Sequence, residues 1–176
     1  TPAEILFSDG REHGRLVAVD GDRLILENGP RRVIGPGESV NILHPSLEIL
    51  GTLTEKDVEV LQAMKSVGLQ KVMLSYVELP SDIEELKSHL PNAEVGLKIE
   101  TQKGLDYVRE FGIQHGRLVA ARGDLYVEVP KPHQIISALR QIIQADPDAI
   151  VASRILDSMA HHPVPISAEI SDVAYL

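Results

Sequence analysis

The fold is decided by one stretch of the chain, Gly-Leu-Lys-Ile-Glu-Thr-Gln-Lys-Gly, at residues 96–104. An apolar, strand-like run ends at Glu100, and a helix-like run follows it directly. Because α/β proteins present their chemistry where strands end, Glu100 is a candidate functional residue. Lys98 lies two positions earlier, and side chains alternate between the two faces of a strand. We therefore expect the Lys98 ammonium and the Glu100 carboxylate to point to the same side.

A second acidic residue, Asp124, follows the next apolar run, in Ala-Arg-Gly-Asp-Leu at residues 121–125. Lys98, Glu100 and Asp124 together predict a site for a metal ion with a cation beside it. Two plainer interpretations stay open from the residues alone. In the first, Glu100 is a solvent-exposed carboxylate or a helix cap at the end of a strand. In the second, Lys98 and Glu100 form an ion pair that has only a structural role.

Composition limits the classes of protein to consider. A chain of 176 residues, 43% of them hydrophobic, is long enough for one domain, or for a domain with a small appendage. It contains no cysteine, which excludes disulfides and thiolate sites and is compatible with a reducing, cytoplasmic location. No apolar run approaches the roughly 20 residues that span a bilayer, so we expect no membrane partner.

The net charge of -9 argues against nucleic acid as a partner, because binding to phosphate backbones needs clustered Lys and Arg. The chain has four Tyr, two Phe and no Trp, which leaves little surface for stacking bases. An acidic protein can still bind a phosphorylated metabolite if a metal ion or a few local cations offset the repulsion.

The pattern of turns and apolar runs changes near residue 54. Residues 5 to 50 combine β-forming runs with turn signals and predict the hairpins of a small β module. Thr54 and Asp57 then form a capping signature for a helix that runs to about Val67. Alternating strand-like and helix-like runs follow: strand 70–77, helix 81–89, strand 93–100, helix 101–111, strand 116–121, helix 132–144 and strand 148–153.

This alternation predicts an α/β fold with parallel strands. The strands begin about every 20 to 30 residues, the period of the β/α units in a (β/α)8 TIM-type barrel. Only four such strands are visible in the sequence, whereas a closed barrel needs eight. We expect the chain to be a piece of a larger protein or assembly, with residues 1–50 in a β-rich domain and residues 51–176 in a partial barrel.

The sequence resembles the pyruvate kinase family, and the resemblance covers nearly the whole chain. It rests on short motifs in a specific order and spacing, each of which is weak alone. The motifs are Ser8-Asp9-Gly10, Val40-Asn41, Leu53-Thr54-Glu55-Lys56-Asp57, Leu74-Ser75-Tyr76-Val77, Lys98-Ile99-Glu100 with Gly104, Ala121-Arg122-Gly123-Asp124-Leu125, Val127-Glu128-Val129-Pro130, Leu156-Asp157-Ser158-Met159, and Ala168-Glu169 with Ser171-Asp172-Val173-Ala174.

The resemblance implies a layout and an activity. Residues up to about 50 would be the second half of the mobile β-barrel lid domain, and the rest would be strands four to seven of the catalytic barrel. The implied reaction transfers the phosphoryl group of phosphoenolpyruvate to ADP, which gives pyruvate and ATP. The implied cofactors are Mg²⁺ or Mn²⁺, with K⁺ as a monovalent ion, and the implied state is a homo-oligomer or a barrel completed by another chain or segment.

The resemblance also implies roles for six residues. Glu100 and Asp124 would hold the metal ion, and Lys98 would face the phosphoryl group. Gly123 and Asp124 would offer backbone amides to the substrate carboxylate. Two further residues complete the implied site: Ser153, near the enolate carbon where the family has Thr, and Arg122, which would orient the Asp124 loop.

Three departures from the family pattern limit what can be carried over. Glu38 replaces a Lys that would meet the nucleotide phosphates, Tyr126 replaces a Gly, and Arg154 replaces a Gln. Two rival functions stay open. The change at Glu38 favours a metal-dependent lyase of 2-oxo acids, which would use the same metal enolate without a nucleotide. The count of four strands keeps open a non-catalytic subunit that completes a barrel with another chain.

Overall fold

The chain divides into two compact units, Thr1–Leu50 and Gly51–Leu176. The structure is a computed structural model and describes residues 3–8, 10–44, 47 and 49–176. Asp9 of the Ser8-Asp9-Gly10 motif lies outside the described residues.

The first unit contains four strands, β1 (Ala3–Phe7), β2 (Glu12–Asp20), β3 (Arg23–Leu26) and β4 (Val40–Leu43). They form an antiparallel sheet with the order β3-β2-β1-β4, and this confirms the predicted hairpins. Ile5, Leu6 and Phe7 of the interior strand β1 are buried.

A charged cluster fixes the segment that leads into β4. Arg32 makes a two-pronged ion pair with Glu38, with Nη1 2.9 Å from Oε1 and Nη2 2.5 Å from Oε2. The Ser8 hydroxyl donates to Glu38 and accepts a hydrogen bond from Arg32. The hydrogen bond from Arg32, followed by that from Ser8, lowers the pKa of Glu38 to about 2. Glu38 is therefore ionised and held in place, and the positive charge of Arg32 compensates its negative charge.

The second unit contains the strands β5 (Lys71–Leu74), β6 (Glu94–Ile99), β7 (Arg117–Ala121) and β8 (Ile150–Ala152). Its helices are α1 (Glu55–Ser66), α2 (Pro80–His89), α3 (Gln102–Phe111), α4 (Arg122–Glu128), α5 (Ile135–Ala145) and α6 (Ser167–Tyr175). The strands form a parallel sheet with the order β5-β6-β7-β8. This confirms the predicted α/β class and the βαβ alternation, while a closed barrel stays a prediction.

Strand β6 divides its side chains between two environments. Val95, Leu97 and Ile99 are buried, whereas Gly96 and Lys98 on the other face are half-buried. The buried face belongs to the main core of this unit, which also takes Leu105 from α3 and Ile142 from α5. The same alternation that buries Leu97 and Ile99 therefore turns Lys98 away from the core.

Local signals explain where several elements begin and end. The predicted capping box is confirmed, because the Asp57 amide donates to the Thr54 side chain while the Thr54 amide donates to the Asp57 carboxylate. The strand predicted over 70–77 ends earlier, at Leu74, since Tyr76 adopts a left-handed backbone with φ of 54°. Helix α4 was not predicted as a helix. The helix predicted over 132–144 opens with a 3-10 turn at Pro132–Gln134 before α5.

A buried acid, Asp146, ties the end of α5 to β7. Its side chain accepts hydrogen bonds from the Leu118 amide at 2.9 Å and from the Asp148 amide at 3.0 Å. Replacing Asp146 by Ala leaves the buried Leu118 amide without this acceptor. We expect Asp146→Ala to lower the free energy of unfolding by about 1–3 kcal/mol in urea titrations.

The exposed neighbour Asp148 supplies the matched control for this experiment. Asp148→Ala removes the same side-chain atoms from a solvated position and should change the free energy of unfolding by less than about 0.5 kcal/mol. Equal effects of the two variants would contradict a structural role for the Asp146 carboxylate.

Candidate active site

The carboxyl ends of the four parallel strands meet at one edge of the second sheet. Neighbouring strands run in register, with Lys98 opposite Val119 and Ile99 opposite Ala120, so the residues that follow each strand come out side by side. This edge collects polar side chains that the sequence singles out: Lys98 and Glu100 at the end of β6, Asp124 after β7 and Ser153 after β8. Ser75 and Tyr76, which follow β5, lie at the same edge.

Glu100 is the centre of this edge. Its side chain is only 2% exposed, and it is held by a cation and by a backbone amide. Lys98 Nζ lies 2.8 Å from Glu100 Oε1, and the Tyr76 amide donates to Oε2 at 2.7 Å. Lys98 also donates to Ser75 Oγ at 2.9 Å. The expected placement of Lys98 and Glu100 on one side of the strand is therefore present in the structure.

Tyr76 links the Glu100 carboxylate to the Asp124 carboxylate. Its left-handed backbone aims its amide at Glu100, and its hydroxyl lies 3.5 Å from Asp124 Oδ1. Burial, followed by the negative charges of Asp124 and Glu100, raises the pKa of the Tyr76 phenol to about 12. The phenol is therefore neutral at physiological pH and stays a hydrogen-bond donor next to Asp124.

Two further carboxylates, those of Glu78 and Glu128, lie near this edge. Glu78 accepts a hydrogen bond from the Thr101 hydroxyl at 2.7 Å, and Lys103 Nζ lies 3.5 Å from it. Glu128, at the end of α4, has a raised pKa because of its burial and then because of the charges of Glu78 and Asp124. A cation bound near Glu128 would relieve the repulsion that raises its pKa.

The end of β8 meets the start of α4 through Ser153. The Gly123 amide donates to Ser153 Oγ at 3.0 Å, and Arg122 Nε donates to the Ser153 carbonyl at 2.9 Å. Ser153 is held in a left-handed conformation, with φ of 65°. Arg122 is 8% exposed and also pairs with Asp172 of α6, with Nη1 2.6 Å from Oδ2. Arg122 thus links α4, the residue after β8 and α6.

The structure places the six predicted site residues in two contact groups at the same edge. Lys98 and Glu100 form one group, which reaches Asp124 through Tyr76. Arg122, Gly123 and Ser153 form the other group. These contacts give positions, while the chemical roles of the six residues stay predictions.

Sequence reasoning missed Ser75, Tyr76, Glu78 and Glu128 as members of the site. The available signal for Ser75 and Tyr76 was their position just after an apolar run, in the Leu74-Ser75-Tyr76-Val77 motif that supported the resemblance. The strand prediction extended through Val77 and so hid the turn that brings the Tyr76 amide to Glu100.

Gly104, which follows Lys98-Ile99-Glu100 in the motif, lies where another part of the chain passes close to its backbone. Gly104 lies in the first turn of α3, which is capped by the Thr101 hydroxyl at 3.0 Å from the Gly104 amide. A Cβ at Gly104 would lie 2.9 Å from the Val77 carbonyl oxygen. A side chain there would push α3 away from the segment that carries Tyr76.

A divalent metal ion fits the donors at this edge by their chemistry. Glu100 and Asp124 carry hard carboxylate oxygens, and Mg²⁺ typically takes one or two carboxylates and completes its coordination with water and substrate oxygens. Among the described residues, no three side chains of His, Asp or Glu converge as a complete protein-only metal cage.

Comparison with known proteins decides the family. The family model described as "Pyruvate kinase, barrel domain" matches residues 2–175. The chain belongs to the pyruvate kinase family. This confirms the family assignment made from the motifs and places the chain among relatives that are named as enzymes.

Relatives named pyruvate kinase come from distant organisms. The chain is 35% identical to the one from Agrobacterium vitis, 34% to the one from Sporosarcina psychrophila and 32% to the one from Methanocaldococcus jannaschii. Each alignment covers 97% of this chain but only 36%, 30% and 39% of the relative. The chain therefore spans about a third of the length of the pyruvate kinases that it matches.

Within the described part of the chain, no helix has both the length and the apolar character needed to cross a membrane.

The raised pKa of Glu128 predicts how stability depends on pH. A carboxyl group whose pKa is higher in the folded state destabilises the fold when it is ionised, and this penalty disappears as the pH falls toward its ordinary pKa near 4.5. We expect Glu128→Gln to melt at a higher temperature than the parent at pH 8, with a difference that shrinks as the pH approaches 4.5.

Glu110, an exposed residue of α3, provides the control with the same change of charge. Glu110→Gln should follow the parent at every pH in the same thermal melts. A Glu128→Gln variant that melts below the parent at pH 8, or whose advantage does not depend on pH, would refute the electrostatic account.

Proposed function

We propose that this chain carries the metal-binding and phosphoryl-binding part of a pyruvate kinase active site. The reaction would transfer the phosphoryl group of phosphoenolpyruvate to ADP, with ATP and pyruvate as products. The single observation that supports it best is the buried Glu100 carboxylate with the Lys98 ammonium 2.8 Å away, at the strand edge that also presents Asp124. The family relationship supports the choice of reaction.

Glu100 and Asp124 would hold Mg²⁺ or Mn²⁺. When bound, such an ion supplies positive charge next to the carboxylate and the bridging oxygen of phosphoenolpyruvate and stabilises negative charge on the enolate. The neutral Tyr76 phenol would keep the orientation of Asp124, and the Tyr76 amide that of Glu100. These two contacts place both acids before a ligand arrives, which lowers the cost of ordering the site.

Lys98 would bind the phosphoryl group during transfer. The bond between phosphorus and the enol oxygen breaks, a bond to a β-phosphate oxygen of ADP forms, and the charge in between spreads over the phosphoryl oxygens. An ammonium held between Glu100 and Ser75 is already positioned, so its positive charge is available without reorganisation.

Ser153, Gly123 and Arg122 would serve the enolate end of the substrate. The enolate carbon must gain one proton to give pyruvate, and the Ser153 hydroxyl would lie on the path of that proton. The Gly123 amide, which donates to Ser153 Oγ, would receive the substrate carboxylate together with the Asp124 amide. Arg122 would act as a positioning residue, because it holds the Ser153 carbonyl and so fixes the direction of the hydroxyl.

The finer layout is part of the same proposal. The antiparallel unit would be the second half of the lid domain, and β5 to β8 would be strands four to seven of a (β/α)8 barrel. The protein would be a homo-oligomer, or its barrel would be completed by another chain or segment. From the family relationship we also propose that the protein is cytoplasmic and that it uses K⁺ as its monovalent ion.

One observation favours a second candidate, a metal-dependent lyase of 2-oxo acids. Where the family has a Lys for the nucleotide, Glu38 is ionised and paired with Arg32, so this pair offers no net positive charge to a phosphate. A lyase would keep the metal enolate and need no nucleotide. Measuring ADP binding to the complete assembly in the presence of Mg²⁺ separates the two candidates, because a lyase should not bind ADP.

The proposal is tested by measuring the rate of pyruvate formation from phosphoenolpyruvate and ADP in the presence of Mg²⁺. The rate is measured for the chain alone and for the chain combined with the segments of the family that it lacks. We expect Lys98→Met to lower kcat by about 100-fold to 1,000-fold in the active form, as for other preorganised charges. Lys71→Met provides the control, since Lys71 pairs with Glu94 at the opposite, amino-terminal end of the strands and is largely exposed. Full activity of Lys98→Met would rule out the phosphoryl-binding role.

The metal ligands are tested separately, without turnover. Mn²⁺ binding, followed by electron paramagnetic resonance, should weaken at least about tenfold in Asp124→Asn and in Glu100→Gln, because each loses one anionic ligand. Glu110→Gln should bind Mn²⁺ as the parent does. Unchanged binding in both site variants would place the metal elsewhere.

A further inference from the structure

We propose that Asn28 is a site of spontaneous covalent modification, which converts this residue to aspartate and isoaspartate with release of ammonia. Asn28 and Gly29 lie in the first unit, after the end of β3 at Leu26, and both residues are exposed. The reaction needs only water as its co-reactant, so it does not rest on the proposed function.

Gly29 supplies the attacking atom. Its backbone nitrogen must lose a proton and reach the side-chain carbonyl carbon of Asn28. Among the described residues, neither the Gly29 amide nor the Asn28 side chain has a hydrogen-bond partner, so both groups are available. Glycine also lacks a Cβ, which leaves the approach open and allows the backbone to adopt the conformation that ring closure requires.

The structure protects the other two asparagines of the chain. Asn41 is 6% exposed and lies in β4, where the backbone is paired with β1. Asn92 precedes Ala93, which is buried and whose amide donates to the Leu90 carbonyl at 3.0 Å. In both places the sheet or the turn must open before the backbone nitrogen can attack, and local opening costs free energy.

The reaction balances without an oxidant or a reductant. The Gly29 nitrogen forms a bond to the side-chain carbonyl carbon of Asn28, the bond from that carbon to the amide nitrogen breaks, and ammonia leaves with the Gly29 proton. Water then opens the cyclic succinimide at either carbonyl carbon. One opening gives aspartate in the ordinary backbone, and the other gives isoaspartate, in which the backbone runs through the side chain. Each product adds one negative charge to a chain whose formal net charge is already -9.

The isoaspartate product would disturb a close contact within the first unit. The Asn28 carbonyl oxygen accepts a hydrogen bond from the Arg15 amide at 3.3 Å. The same oxygen is so near Gly14 that a Cβ on Gly14 would lie 2.9 Å from it. In isoaspartate this carbonyl becomes a free carboxylate with a second oxygen, and the path to Gly29 gains a methylene group. Conversion would therefore loosen the backbone pairing of Arg15 with Asn28.

The test is incubation of the chain as given in neutral buffer at physiological temperature, followed by mass spectrometry of its peptides. The peptide with Asn28 should gain the mass difference between OH and NH2 at least about tenfold faster than the peptide with Asn92, which is protected by local structure. Fragmentation between the backbone nitrogen and Cα would identify the isoaspartate. No mass gain at Asn28 over several weeks, or equal rates at Asn28 and Asn92, would overturn the proposal. No substrate or metal is involved, so the proposed function can fail while this proposal stands, and the reverse also holds.

A matched pair of glycine variants tests the attacking residue. A Cβ on Gly29 would meet no atom within 4 Å, so Gly29→Ala should leave the fold intact. Its methyl group obstructs the approach and should slow conversion of Asn28 at least about tenfold. Gly35→Ala makes the same change at a glycine that also precedes a proline and whose Cβ would also meet nothing within 4 Å, and it should convert as the parent does. An unchanged rate in Gly29→Ala, or equal slowing in both variants, would refute the role of Gly29.

Discussion

The ion pair between Lys98 and Glu100 is the interaction on which the organisation of the strand edge depends. A carboxylate that is 2% exposed is stable in a protein only when its charge is compensated and its oxygens are hydrogen-bonded. Lys98 supplies the charge and the Tyr76 amide supplies the second hydrogen bond. The turn after β5 must therefore adopt the strained backbone of Tyr76, which also brings its hydroxyl toward Asp124. One buried charge thereby organises the ends of β5 and β6 and reaches the start of α4.

Short-range patterns in the sequence were sufficient to predict much of this arrangement. The alternation of side chains along a strand placed Lys98 and Glu100 on one side, and the Thr54 and Asp57 pair marked the start of α1. These signals act over a few residues, where backbone geometry decides the outcome. The parallel order of β5 to β8 followed from strands that alternate with helices, because parallel neighbours need a crossover between them.

Contacts between residues that are far apart in the sequence could not be predicted from such local patterns. The Tyr76 turn has a left-handed backbone that a tyrosine adopts only when tertiary contacts repay the strain, so propensity favoured a longer strand. Arg122 and Asp172 are 50 positions apart, and no local pattern pairs them. A further pair of residues shows the same limit. Tyr126 and Arg154, noted separately as departures from the family pattern, meet in space as a cation over an aromatic ring.

The most direct test of the central claim, that Glu100 and Asp124 form one metal site beside Lys98, is a crystal structure of the chain grown with Mn²⁺ and pyruvate. Diffraction at the manganese absorption edge would locate the ion. The account predicts one anomalous peak within about 2.2 Å of a carboxylate oxygen from each acid, with the pyruvate carboxylate toward Gly123. A peak bound by neither acid, or no peak there with Lys98 still paired to Glu100, would contradict the account.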